Sequence, residues 1–307
     1  MRSLNDAPVA RTVVALAWLG LLPGTAHSQP PEGPGFREQM SIMEQVYHSK
    51  GRDVPPGYTI DRSLFSYVDT LPEEFGRELA KLGPDDRWLD IGAGQGRALL
   101  DYYTPEKDMS AEEERKWCKK RAASVAISIE DRRTPRWHLT IEKLEPGKMK
   151  YLAGKRLHDY SREELGQFDI ITDVGGGFTY TSDLSQFMEK ALALLEDDGQ
   201  FFGVLQNVQS EAGANEPSET GSPFLTEIVN SDGSRVKICS WLKSIRCVKV
   251  RCLHKKDWDP PIEVYHVKRV CPQIKVPPLT AVHYEAGTPP ERRFKLGKPL
   301  PGATTEK

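Results

Sequence analysis

The ten residues Trp88-Leu89-Asp90-Ile91-Gly92-Ala93-Gly94-Gln95-Gly96-Arg97 decide the fold of this chain. Trp-Leu-Asp-Ile is an apolar run without polar alternation, the pattern of a parallel strand covered on both faces. Glycines at 92, 94 and 96 permit positive φ and let the backbone approach a ligand closely. A helix is predicted from about Ala98, with its N-terminal amides pointing at that ligand. The alternative is a glycine-rich turn that holds nothing.

Two ligand classes use such a turn. Dinucleotide binders space their glycines G-x-G-x-x-G around a pyrophosphate. Here the spacing is G-x-G-x-G, with an acid two residues before the first glycine. This pattern resembles the first motif of the class I S-adenosylmethionine-dependent methyltransferases, whose loop packs against the methionine part of the cofactor. The resemblance implies an α/β fold: a three-layer, Rossmann-like seven-stranded sheet of order 3-2-1-4-5-7-6 with strand 7 antiparallel. It implies S-adenosylmethionine as cofactor, with Asp90, Gly92, Gly94 and Gly96 in its site. Independently, the switch point of an open α/β sheet places a ligand beside strand one.

Upstream of the turn, Pro72–Leu82 reads as a helix with Phe75, Leu79 and Leu82 on one face. Leu64–Val68 is a short apolar segment. Sequence before the first strand in such methyltransferases often folds over the cofactor, which would bring Tyr58, Phe65 and Tyr67 to the active site; core packing is the other reading of each aromatic. Residues 29–59 form a Pro/Gly linker and one helix from Phe36 to about Lys50.

The first 28 residues carry Arg2 and Arg11, an apolar run over Val13–Leu22, the breaker Pro23-Gly24 and a small-x-small site at Ala26-His27-Ser28. That is the layout of a secretory signal peptide, too short to span a membrane. It predicts a secreted or periplasmic protein with no stable membrane span after processing. Loss of this segment removes two arginines and one aspartate, taking the net charge from −2 to −3. Because S-adenosylmethionine is made inside cells, the alternative is a cytoplasmic protein started later, at Met40.

Downstream, Ser124–Ile129 is the second strand, and Glu130 at its tip is the acid that the family uses to accept the ribose hydroxyls. Glu130 lies 34 residues beyond Gly96, against roughly twenty in dinucleotide folds. A charged insertion with a capping-box helix start at Ser110 accounts for the difference. Lys148–Leu157 reads as strand three. Asp159 after it is either the acceptor of the adenine amino group, as in related enzymes, or the cap of the next helix. Phe168–Val174 is strand four, and the resemblance places Asp173 facing the methionine amine and the substrate. Asp183 caps an amphipathic helix to Leu195, and Gln200–Leu205 is strand five. Pro223–Val229 is predicted helical, Val248–Cys252 and Ile262–Val270 form a closing hairpin, and residues 272–307 read as a poorly ordered Pro-rich tail. The methyltransferase domain thus spans residues 60–271.

A composition of 28% charged and 38% hydrophobic residues is that of a globular protein, and a net charge of −2 argues against nucleic acid as partner. The expected acceptor is a small molecule or a protein. Five cysteines, at 118, 239, 247, 252 and 271, contain no C-x-x-C pair for zinc, and no metal is expected. Cys239, Cys247, Cys252 and Cys271 are either local disulfides of an exported protein or buried thiols. Asp173, His158 and Tyr180 are the groups available to assist proton departure. Two other classes of function compete: an exported, non-catalytic binding module that retains the fold, and a nicotinamide-dependent oxidoreductase, which the glycine spacing disfavours.

Overall fold

Trp88 and Leu89, neighbours on the first strand, are both fully buried and enter opposite hydrophobic cores. Adjacent strand residues point to opposite faces, so a strand apolar at every position is covered on both sides. This one alternation sets up a central sheet with a packed layer on each face.

The computed structural model describes residues 62–105, 109–206, 225–255, 262–280, 283–285 and 291–297. The expected leader, the linker and first helix, and Tyr58 lie outside the described residues. In chain order, α1 (Leu64–Thr70) and α2 (Glu73–Lys81) precede β1 (Arg87–Ile91). Next come α3 (Arg97–Tyr103), α4 (Ala111–Trp117), β2 (Ala123–Ser128), α5 (Pro135–Ile141) and β3 (Met149–Ala153). Then follow α6 (Arg162–Leu165), β4 (Phe168–Val174), α7 (Gly177–Tyr180), α8 (Leu184–Ala193) and β5 (Leu195–Gln206). The remainder holds β6 (Leu225–Val229), β7 (Arg235–Val236), α9 (Ile238–Lys243), β8 (Val248–Lys255), β9 (Ile262–Arg269), β10 (His283–Glu285) and β11 (Glu291–Lys295).

The main sheet has the order β3-β2-β1-β4-β5-β9-β8. Strands β1 to β5 run parallel, and β9 lies antiparallel between β5 and β8. Counted within this sheet alone, the order is 3-2-1-4-5-7-6 with strand 7 antiparallel, as expected. On one face, Phe75 of α2 meets Trp88 and Phe202 edge-on at centroid distances of 5.9 and 5.5 Å. On the other, α8 packs Met188, Ala191 and Leu192 against Leu89, Ile171 and Phe201. Asp183 caps α8 by accepting the Gln186 N–H at 2.8 Å.

Two expectations give way. Where the pattern predicts a helix over Pro223–Val229, the described residues Leu225–Val229 form β6. They belong to a second sheet of order β10-β11-β6-β7. The reason is non-local: β6 pairs in parallel with β11, Ile228 opposite Phe294. Within β6, Thr226, Glu227, Ile228 and Val229 are all buried. A run buried on both faces has no periodicity to separate helix from strand. For the same reason, part of the segment read as a poorly ordered tail is ordered: Arg292 and Phe294 are fully buried and Leu296 is nearly so.

Among the described residues no helix is long and apolar enough to cross a membrane. Of the two cysteine readings, disulfides form: Cys239–Cys252 and Cys247–Cys271, with Cα separations of 6.1 and 5.0 Å. The β8–β9 hairpin and α9 bring these residues together, while Cys118 is free and buried.

Candidate functional site

The carboxyl ends of β1 and β4 lie side by side, with Asp90 opposite Thr172 and Ile91 opposite Asp173. Both strands then turn on glycine. Gly92, Gly94 and Gly96 have φ of 72°, 55° and 72°. The two turns touch backbone to backbone. A Cβ on Gly92 would lie 2.4 Å from the Gly176 Cα, and one on Gly176 would lie 2.4 Å from the Ile91 carbonyl oxygen. Glycine is therefore required at both positions by close approach.

Beneath this junction are two fully buried carboxylates. Asp90 accepts the Tyr67 hydroxyl at 3.1 Å on both oxygens and the Thr172 hydroxyl at 2.7 Å. Thr172 Oγ1 in turn accepts the Trp88 indole N–H at 2.9 Å. Burial raises the Asp90 carboxyl to about 7, against the lowering pull of these hydroxyls and of the Arg62 charge. Asp173 accepts the N–H groups of Gly176 at 3.0 Å and Phe178 at 2.9 Å, so it ties down the turn that follows it. Burial raises it to about 7 as well, the Phe178 and Gly176 amides opposing and the nearby Asp90 charge reinforcing.

The first glycine turn is held from β2 and β3. Gly92 and Ala93 donate to the Ile127 carbonyl at 2.9 and 3.0 Å. Tyr151 donates its hydroxyl to the Gly94 carbonyl at 2.6 Å and accepts the Arg132 N–H at 3.2 Å. Gly96 begins α3 against the Trp137 ring, which packs edge-on with Tyr151 at 5.1 Å.

Above the turns opens a cleft along the carboxyl edge of β1, β2, β3 and β4. Of the sequence-predicted residues, Gly92, Gly94, His158 and Tyr180 line it. Asp90 and Asp173 lie beneath its floor. Glu130 is exposed, one residue past the cleft-lining Ile129. Asp159 accepts the Arg156 N–H at 3.0 Å, closing the 3₁₀ turn Leu157–Asp159, and stands 3.1 Å from His158 Nε2. It is thus a cap, but of its own turn; Ser161 caps α6. Tyr67 is a core residue bonded to Asp90, while Phe65 is exposed.

Four cations that carried no sequence signal also line the cleft: Arg62, Arg132, Lys155 and Arg156. Arg62 donates to the Val174 carbonyl at 3.2 Å and packs its guanidinium over Gly175. Lys155 and Arg156 follow strand three. Among the described residues no group of three or more side chains is arranged to hold a metal.

The sheet order, the glycine turn after β1 and the cleft at the carboxyl edge define the class I methyltransferase fold. No protein-family model and no curated protein matches the chain. The solved structures it resembles include methyltransferases. An rRNA methylase from Streptococcus thermophilus is 9% identical, covering 64% of this chain and 95% of its own, with a TM-score of 0.40. The N-methyltransferase NodS from Bradyrhizobium japonicum WM9, in complex with S-adenosyl-L-homocysteine, is 12% identical over 74% of this chain and 98% of its own, with a TM-score of 0.39. PKMT2 from Rickettsia typhi, in complex with AdoHcy, is 20% identical over 43% of this chain and 24% of its own, with a TM-score of 0.31.

Proposed function

We propose that this chain transfers a methyl group from S-adenosylmethionine to a nucleophilic atom of a small-molecule or protein acceptor. The observation that carries the reading is the junction of the two glycine turns, backbone on backbone, at the floor of a cleft beside strand one. Gly92 and Gly94 offer the cleft a wall without side chains, suited to the methionine part of the cofactor. Glu130, next to Ile129, is assigned to the ribose hydroxyls. When bound, the cofactor supplies a sulfonium methyl group open to in-line displacement.

The remaining work falls to positioning. Asp173 holds the second turn from below, Asp90 is bonded to the Tyr67 and Thr172 hydroxyls, and neither touches a reacting atom in this reading. Among the groups lining the cleft, His158, with Asp159 beside it, is assigned to assist proton departure from the acceptor, and Tyr180 to hydrogen-bond it. Asp159, 3.1 Å from His158 Nε2, is assigned to orient that ring, with the adenine amino group as its alternative partner.

A second reading rests on the disulfides. Two paired bridges suit an oxidising compartment, in keeping with a secreted or periplasmic location, where the donor is not made. There the fold would serve as a non-catalytic binding module. Calorimetric titration of the purified protein with S-adenosylmethionine, S-adenosylhomocysteine and NAD separates the readings. Micromolar binding of the first two and none of NAD supports methyl transfer; no binding of any supports the module; NAD alone overturns both.

A further inference from the structure

We infer that strand β11 braces the cleft wall that bears Tyr180, with Arg292 as the positioning residue. What the cleft holds rests on the methyl-transfer reading; the mechanical coupling does not. Arg292 is fully buried. Its Nε–H donates to the Thr226 hydroxyl of β6 at 3.2 Å, anchoring it within the second sheet. The rest of the guanidinium leaves that sheet and reaches the segment after β4. One terminal nitrogen donates to the Thr179 carbonyl and to the Thr181 carbonyl, the latter at 3.1 Å; the other lies 3.5 Å from the Phe178 carbonyl. These carbonyls lie in and just after the single turn of α7, where a helix end leaves its acceptors without intrahelical donors. A planar guanidinium can engage several of them at fixed geometry, which a lysine cannot.

The gripped segment is the cleft wall. Tyr180, Thr181, Ser182 and Asp183 all face the cleft. A second tie holds its far end: the Leu279 N–H donates to the Ser185 hydroxyl at 3.1 Å, and Ser185 donates to Asp183 at 3.0 Å. Chain from beyond the main sheet thus clamps residues 178–185 at both ends. The wall bearing Tyr180 receives support from Arg292 and Leu279 in addition to the contact of its first residues with the glycine turn of β1.

Amide hydrogen exchange of the free full-length protein tests this, with Arg292→Met, Arg292→Lys and Arg293→Gln compared. Arg293 neighbours Arg292 on β11 but pairs with Glu227, which also keeps Arg235. Arg292→Met is expected to speed exchange over residues 177–183 about tenfold and Arg292→Lys by less, whereas Arg293→Gln leaves that segment at the wild-type rate. Equal speeding in Arg293→Gln, or none in Arg292→Met, overturns the inference. If Arg292→Met does not fold, Arg292→Lys against Arg293→Gln decides by the same criterion. Since no ligand is present, the result stands apart from the titration that tests the proposed function.

Discussion

Tyr67 holds its hydroxyl 3.1 Å from both carboxylate oxygens of Asp90, joining the helix before the sheet to the acid at the end of β1. Burial raises the phenol well above its usual value, so it remains the donor. Tyr67→Phe deletes that donor and leaves the ring packing in place. We expect a loss of about 1–3 kcal/mol, the cost of a hydrogen bond to a charged group. Urea denaturation at pH 8 measures it; no change would mean that water replaces the hydroxyl.

The two buried acids make stability depend on pH. Each has its folded value raised, to about 7, so each favours the fold most when protonated. That contribution is fully present below the unfolded value of about 4 and is lost as pH rises through about 7, at most ~4 kcal/mol for each group taken alone. His266, lowered by burial, acts in the opposite sense, so a variant comparison is needed. Asp90→Asn should lose less stability than wild type between pH 5 and pH 8, measured by urea midpoints. Parallel pH profiles would refute the assignment.

Substitutions at two glycines should separate binding from folding. Gly94 lines the cleft with φ of 55°, and Gly94→Leu is expected to abolish S-adenosylhomocysteine binding while the fold survives. At Gly176 an added Cβ meets backbone at 2.4 and 2.9 Å. Gly176→Ala should therefore cost both binding and several °C of melting temperature, of the order of 1–3 kcal/mol as for other overpacked sites. Calorimetry and thermal melts on both variants read the contrast.

The cysteines predict a thiol count. Four are paired and Cys118 is buried, its thiol pushed up to about 12 mainly by burial. A thiol reagent should find no reactive group in the native protein and one after unfolding without reductant. Closing loops of 13 and 24 residues should stabilise by about 3 kcal/mol per bridge on the chain-entropy account. Reductant should lower the melting temperature accordingly, and five free thiols in the untreated unfolded protein would contradict the pairing.

Local chemistry made the parallel core legible. The glycine turn from Gly92 to Gly96, the strands ending near Ile91, Ser128 and Val174, and the Asp183 cap each depend on residues within a few positions of one another. Their signals, positive φ, strand burial and capping, are written in consecutive letters. The hairpin of β8 and β9 was legible for the same reason.

The tertiary structure alone decided the rest, because it depended on partners far along the chain. Leu225–Val229 is a strand since β11 pairs with it from 66 residues later. Asp90 and Asp173 were legible as strand-end acids, but their partners were not: Tyr67 and Thr172 for Asp90, the Gly176 and Phe178 amides for Asp173. Arg62 and Arg292 carry no local pattern at all. A lone arginine reads as surface, and only the packed chain turns one toward the cleft and buries the other behind its wall.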